Sequence, residues 1–435
     1  MLDEQNAVLN DTSGLPEPER ESDLWFNPFR FPGSERACSV VHEVVHEIEN
    51  HGARKRARRL KDQQSLRATM TSVVTNLIYH HLSGRPGEGV PVPRAKNDLG
   101  GKATRYQPFV FPRSFPDMLD TLCDLEFAKQ AKGEFSGLPA KSKRTTVTAG
   151  PKLVELINQH QITFADFEIG DDEEIIILKG QKRERKDVAK REPYDDNATT
   201  RRYREELREI NARLQSADIT FDPGVYEHAV DVRARRLYRH FSNGNFESGG
   251  RLFGGFWQNI PKDVRLRGIR IEGERVEGRD YSQLNPRLAY SVAGAVPPSG
   301  DAYTLPNLEQ YREGVKEVFN AMLFHHPVVR FPVGTRALIP DKKVKITDVT
   351  EGILEQHPML KGVLSSGWIG HRLQFLESEI MMAVLRKCRD RSIVALPVFD
   401  CVVARASAME IVERIMQSSS REIAGLDISI KPEVA

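Results

Sequence analysis

The sequence predicts an α+β protein, with a mainly helical N-terminal region followed by a unit in which hairpins build an antiparallel sheet and helices are inserted between its strands. Three observations predict this. Apolar residues recur at helical spacing from Ser39 to Glu49 and again from Ser65 to Leu82. The stretch RLRGIRIEGERVEGRDYS reads as two strands joined by a Glu-Gly turn, and SIVALPVFDCVVARAS as a strand, a tight turn at Asp400 and a returning strand. The segments EQYREGVKEVFNAMLF, QFLESEIMMAVLRKC and AMEIVERIMQ carry the helical period between and after those hairpins.

Composition sets the frame. The 435 residues are long enough for two or three cores, and 39% hydrophobic residues is ordinary for a globular chain. Residues 1–35 are polar, proline-containing and unpatterned, and are expected to form a flexible tail. The acidic start has no apolar h-region, and no run reaches the roughly eighteen apolar residues needed to span a bilayer. The expectation is a soluble, intracellular, cytoplasmic protein without a membrane partner. Cys38, Cys123, Cys388 and Cys401 show no Cys-x-x-Cys spacing, so they read as reduced packing residues.

Along the chain, a mainly helical domain of unnamed type is expected over residues 36–180. It contains a Gly- and Pro-rich extended connection, SGRPGEGVPVPRAKNDLGGKATRYQPFVFP, and then a helix from Asp117 to about Ala131. The strand-like EEIIILKG ends it at Gly180. Residues 181–248 form a charged, helical connecting region in which Tyr203, Leu207, Ile210 and Leu214 make one narrow apolar stripe. Residues 249–435 form the hairpin-and-helix unit, with an insertion over about 300–370. PRLAYSVAG within it reads as a helix entered at its proline.

The formal net charge of +2 conceals three basic runs, GARKRARRLK, QKRERKDVAKR and VRARRLYRH. Such runs either line a polyanion path, where each phosphate contact steepens the log-log salt dependence by about 0.9, or are solvated helix faces.

Asp280 and Asp400 each end a predicted strand and are flanked by apolar residues that would anchor both in one sheet. Two carboxylates brought together suit hard divalent cations such as Mg²⁺, which takes its remaining ligands from water and phosphate. In two-metal sites the ions lie roughly 3.5–4 Å apart and serve the attacking and leaving oxygens of phosphoryl transfer. Arg312 and Lys316, one helical turn apart, would face a triphosphate.

Taken in order, these stretches resemble the polymerase region of family A DNA polymerases and, more distantly, single-subunit phage RNA polymerases. The resemblance runs from about Gly249 to Met416 through five motifs. GGRLFGGFWQNIP resembles the family's Gly-Arg to Gln-Asn-Ile-Pro segment, implying that Arg251, Gln258 and Asn259 lie near the primer-template. RDYSQLNPRLAY resembles motif A, which gives Asp280 a metal, and LPVFDCVV resembles motif C, which gives Asp400 the second carboxylate. REGVKEVFNAMLF is similar to the finger helix, with Arg312 and Lys316 on the triphosphate and Phe324 where the family has tyrosine. RLQFLESEIMMAVL resembles the helix whose glutamine, here Gln374, reaches the minor groove.

The resemblance implies a right-hand-like polymerase, with an antiparallel-sheet palm, inserted helical fingers and two Mg²⁺ ions. The reaction it implies is addition of nucleoside triphosphates to a primer on DNA. Departures from the family leave the sugar open: Asn285 stands where its DNA polymerases carry a glutamate that excludes the ribose 2′-hydroxyl, and Asn320 replaces an apolar or aromatic residue. Phe399 and Cys401 replace the usual His and Glu beside Asp400. Residues 1–230 carry no acidic exonuclease pattern, so proofreading is not expected, and a thumb would come from the helix at 199–215. The alternatives are an RNA-synthesising or sugar-promiscuous polymerase or primase, and a degenerate palm that binds nucleic acid without extending it.

HEVVH, residues 42–46, fits the zincin pattern of His42 and His46 as ligands with Glu43 as base. The third ligand such a site needs is missing, and the stretch reads as an ordinary amphipathic helix. His325 and His326 before Pro327 read as a helix C-terminus near the negative end of its dipole.

Overall fold

Hydrogen-bond pairing between distant segments decides the architecture. The structure, a computed structural model, describes residues 26–51, 59–84, 89–107, 111–133, 144–181, 189–366 and 369–433. Most of the tail expected over 1–35, the basic residues at 52–58 and 182–188 and parts of the extended connection lie outside them.

β1 (Arg30–Pro32) leads into α1 (Glu35–Asn50), whose first turn Ser34 caps by accepting the Ala37 N–H. Val40, Val41, Val44, Val45 and Ile48 form its buried stripe against α2 (Leu60–Leu82), and both helices fall where the apolar period puts them. Beyond them come β2 (Val90–Pro91), α3 (Phe115–Asp124), β3 (Ala128–Ala131), β4 (Thr146–Ala149), α4 (Pro151–Gln159) and β5 (Phe167–Ile169). β2, β4 and β3 form an antiparallel sheet in that order, and β1 pairs with β5. Helices outweigh strands in this region, but short strands that the sequence reading did not place join them. In particular, the helix read from Asp117 to Ala131 stops at Asp124. Glu126 adopts φ +63°, and Ala128–Ala131 satisfies its backbone by pairing with Thr146–Ala149, a long-range choice that helical periodicity does not reveal.

A second, larger core begins with β6 (Ile176–Leu178) and α5 (Ala198–Ser216), whose Tyr203, Leu207, Ile210 and Leu214 are all buried. β7 (Ile219–Phe221), β8 (Tyr238–Phe241) and β9 (Gly249–Phe253) follow, with β6 parallel to β8 and β9 antiparallel to it. The start of RLRGIRIEG, expected to be strand, instead ends α6 (Lys262–Gly268). β10 (Ile269–Ile271) and β11 (Glu274–Tyr281) are joined through Glu272 and Gly273 at φ +52° and +76°, the paired left-handed conformation of a tight hairpin.

Next come α7 (Leu284–Val292), α8 (Arg312–Phe324), α9 (Thr335–Leu338), α10 (Ile346–Gln356), α11 (Lys361–Ser365) and α12 (Ile369–Arg389). β12 (Ala395–Val398), β13 (Cys401–Arg405), α13 (Met409–Ala424) and β14 (Ile430–Glu433) complete the order. The main sheet runs β12-β13-β11-β10-β7, with every pair antiparallel. β14 also joins β11, taking the Gly278–Tyr281 end of the edge whose other end β10 holds. Among the described residues, no helix is long and apolar enough to cross a membrane.

α12 packs on β9 and α13 and is pinned from below by Arg239 of β8, which is fully buried. Its Nη2 donates to Ser378 Oγ at 2.9 Å and to Glu379, while its Nε donates to Gly250 O at 3.0 Å. The guanidinium carbon lies 4.5 Å from the Tyr203 ring and 4.9 Å from that of Phe241. Gly250 is required here: its φ is +84°, and a Cβ would fall 2.6 Å from Ser378 Oγ. Removing the guanidinium would strand Glu379 and a buried carbonyl. Arg239→Ala is expected to destabilise the fold by about 3 kcal/mol, read as a lowered midpoint in urea unfolding.

Candidate functional site

The site is built by strand register. Asp280 lies near the end of β11, opposite Cys401 on β13 and Lys431 on β14. Asp400 is the second residue of the turn between β12 and β13, where Val398 pairs with Cys401. The Tyr281 N–H reaches Asp400 O at 3.4 Å, so this turn is tied to the end of β11. Both carboxylates thus arrive at one end of one sheet, 120 residues apart in sequence.

Phe399, the first turn residue, has φ +55°, which costs a non-glycine residue about 1–2 kcal/mol. Its ring contacts offset that cost, with Phe253 at 5.8 Å and the Arg251 guanidinium at 5.5 Å. The strand entering the turn is clamped at Pro397 O, which accepts Trp257 Nε1 at 2.9 Å and Gln258 Nε2 at 3.0 Å.

Burial dominates the electrostatics of the site, and crowding of negative charge adds to it. Asp400 keeps part of its surface open to solvent yet is densely surrounded by protein atoms, and this burial raises its pKa well above the usual carboxylate range. The charges of Asp280 and Glu377 push it further up, while Arg251 opposes them. Glu377, on the inner side of α12, is 4% exposed and grips Arg251 in a two-point pair, Nε to Oε1 at 2.8 Å and Nη2 to Oε2 at 2.6 Å. On the opposite edge, Lys431 Nζ lies 3.2 Å from Asp280 Oδ2. Cys401 Sγ donates to Glu433 Oε2 at 3.3 Å, and burial with the Glu433 charge pushes its thiol pKa up.

On α8, Arg312 and Lys316 are held by neighbouring carboxylates. Arg312 Nε donates to Asp301 Oδ2 at 2.7 Å and its Nη1 to Glu313, with its guanidinium 5.4 Å from the Tyr303 ring. Burial raises the Tyr303 hydroxyl pKa, Arg312 lowers it, and both Asp301 and Asp400 raise it, so Tyr303 lies in the fields of Arg312 and Asp400 alike. Lys316 is partly exposed, with Nζ 3.7 Å from Glu313 Oε2.

Asn285 and Asn320 are brought together, Nδ2 of the first donating to Oδ1 of the second at 3.0 Å. Phe324 packs on Gly370, where a Cβ would come within 2.3 Å of its ring, and edge-on to His371 at 5.3 Å. Gln374 Oε1 lies 3.3 Å from His371 Nδ1. Gln258 spends its amide N–H groups on the carbonyls of Leu252 and Pro397, and the neighbouring Asn259 is exposed.

Glu377, Lys431 and Glu433 escaped the sequence reading. A lone acid on the apolar side of QFLESEIMM and the alternation of Ile428 and Ile430 were the signals available. His42, Glu43 and His46 all lie on the exposed face of α1, with the two imidazole centroids 6.3 Å apart. His325 caps the C-terminus of α8.

Among the described residues, no group of three or more His, Cys, Asp or Glu is arranged to hold a metal ion. The acid pair offers two carboxylates, the number Mg²⁺ ordinarily takes from protein, and an ammonium already rests against one of them. These residues fit a hard divalent cation.

No family model matches the chain, and no curated protein matches it. Among solved structures it is similar to the POL domain of Pol1 from M. smegmatis, solved in complex with DNA primer-template and dNTP. That likeness has a TM-score of 0.30 and 12% identity, over 91% of this chain and 68% of the other.

A stability prediction follows from Asp400. Because the folded chain holds this carboxyl above its ordinary value, the associated stability is complete below the usual carboxylate range, about pH 4. It is lost as pH rises through the raised value. Asp400→Asn removes that loss. In thermal melts across pH 4 to 8 without divalent cations, the variant is expected to melt above wild type, with the gap widening as pH increases.

Proposed function

We propose that the chain is a nucleotidyltransferase similar to the family A DNA polymerases, extending a primer 3′-hydroxyl on a DNA template. The observation that carries this reading is the acid pair: Asp280 near the end of β11 and Asp400 in the adjoining β12–β13 turn meet at one end of one sheet. Two mutually repelling carboxylates brought to one end of a sheet form a donor set that a hard cation would neutralise.

In this reading β11, β12 and β13 are the palm, and Asp280 and Asp400 would hold two Mg²⁺ ions. Bound Mg²⁺ would supply activation of the attacking hydroxyl and stabilisation of charge on the leaving pyrophosphate. The chain's own residues do the rest. Asp301 and Glu313 orient Arg312 toward the triphosphate. Lys316, held by its longer contact to Glu313, swings to neutralise or protonate the pyrophosphate. The Asn285–Asn320 pair faces the sugar, and Phe324, backed by His371, faces the base.

Arg251 acts by holding Glu377, and Gln258 by holding the strand that carries Asp400, so both position the primer end of the site. Asn259 and Gln374 meet the primer-template itself. The reaction is attack of the primer 3′-hydroxyl on the α-phosphorus of a nucleoside triphosphate, releasing pyrophosphate, without a proofreading exonuclease.

The test is extension of a labelled primer-template with Mg²⁺, offering deoxynucleotides or ribonucleotides separately. Wild type is expected to extend, and Asp280→Asn to lose on the order of 10³-fold in rate. No extension with either sugar, alongside salt-sensitive DNA binding, would instead indicate a palm that binds nucleic acid without catalysis. Lys316→Ala should slow incorporation by roughly 10²-fold with DNA affinity retained, and an unchanged rate would remove its role. Asn285→Glu is expected to shift the ratio of incorporation toward deoxynucleotides, measured as relative kcat/KM for the two sugars.

A further inference from the structure

We infer that Lys431 is the resident counter-ion of the acid pair: the last described strand lays an ammonium on Asp280, and a divalent cation binds there by displacing it. This rests on reading Asp280 and Asp400 as a cation site and names a further residue that sets its affinity.

The geometry begins with backbone pairing. β14 runs antiparallel to β11 over Gly278–Tyr281, and the register sets Lys431 directly opposite Asp280. The strand is fastened on both sides of that lysine. The Ser282 N–H donates to Ser429 O at 2.8 Å, while Glu433 accepts from Cys401 Sγ at 3.3 Å and lies 3.7 Å from Arg265. Gly278 makes room for this, since a Cβ there would fall 2.5 Å from Glu433 Oε2. The backbone of Lys431 is therefore fixed, whereas its side chain is 57% exposed and can leave Asp280 without breaking a ladder hydrogen bond.

The surrounding charges explain why an ammonium rests there. Four carboxylates face this end of the sheet: Asp280, Asp400, Glu377 and Glu433. Arg251 is engaged by Glu377, and Arg265 faces Glu433. Lys431 meets Asp280. An ammonium and a divalent cation gathered on one carboxylate repel each other at a few ångströms, so the two compete for Asp280. Because the pair is exposed it is weak, and the lysine tunes cation affinity rather than blocking the site.

A purely structural lysine would behave differently: its loss would loosen β14 and leave cation affinity unchanged. The test is calorimetric titration of the full chain with Mn²⁺ at low ionic strength, with thermal melts to establish folding. Lys431→Met keeps the aliphatic stem and is expected to bind Mn²⁺ about fivefold more tightly than wild type, the ratio corresponding to an exposed ion pair at the upper end of its usual strength. Lys431→Arg should retain the wild-type value. Arg421→Ala removes an exposed cation paired instead with Asp427, and should also leave it unchanged.

Equal affinity in wild type and Lys431→Met, or an equal gain in Arg421→Ala, would overturn the inference while leaving the cation site standing. Absence of Mn²⁺ binding in both wild type and Lys431→Met would overturn the cation site and this inference with it. Asp280→Asn supplies the reference for a site that has lost its ligand.

Discussion

The antiparallel register of β11 and β13 is the constraint on which the rest of the site depends. Once Asp280 pairs with Cys401, the preceding residue, Asp400, must sit in the turn beside the end of β11. Two like charges are then held together by main-chain hydrogen bonds, not by any attraction of their own. Burial and, after it, the charges of Asp280 and Glu377 raise the pKa of Asp400, while Arg251, paired with Glu377, opposes them and a lysine is laid against Asp280.

Holding this arrangement requires stiffness from several directions. Pro397 O is clamped by Trp257 and Gln258, and Phe399 accepts an unfavourable backbone conformation because Phe253 and Arg251 pack its ring. α12 is pinned to β8 and β9 by the buried Arg239, which keeps Glu377 at its depth. The helices α7 and α8 pack into the same core through Leu288, Val315, Val318 and Phe319, and are joined to each other by the Asn285–Asn320 hydrogen bond.

Much of this was legible in the residues. Period-two alternation and turn chemistry located β10, β11, β12 and β13, and the helical period located α1, α2, α7, α8, α12 and α13 within a few residues at most of their ends. The helix expected to run on to Ala131 failed because Thr146–Ala149 offered its second half a better partner. Glu377 was passed over because an acid on a mostly apolar helix face carries no sign of the arginine that will meet it. Lys431 was missed because four residues of modest alternation do not announce a strand until β11 is there to receive them.

By itself the sequence determined where the chain turns, which segments alternate, and that two aspartates end strands, because these follow from local φ/ψ preferences and from which side of a short element is apolar. Only the tertiary structure decided that the two aspartates share one sheet end, that Arg251 belongs to Glu377, and that Lys431 belongs to Asp280. Those are contacts over 120, 126 and 151 residues, set by register between strands and by the packing of α12 on β9. No local preference encodes which distant backbone will satisfy a strand's remaining edge.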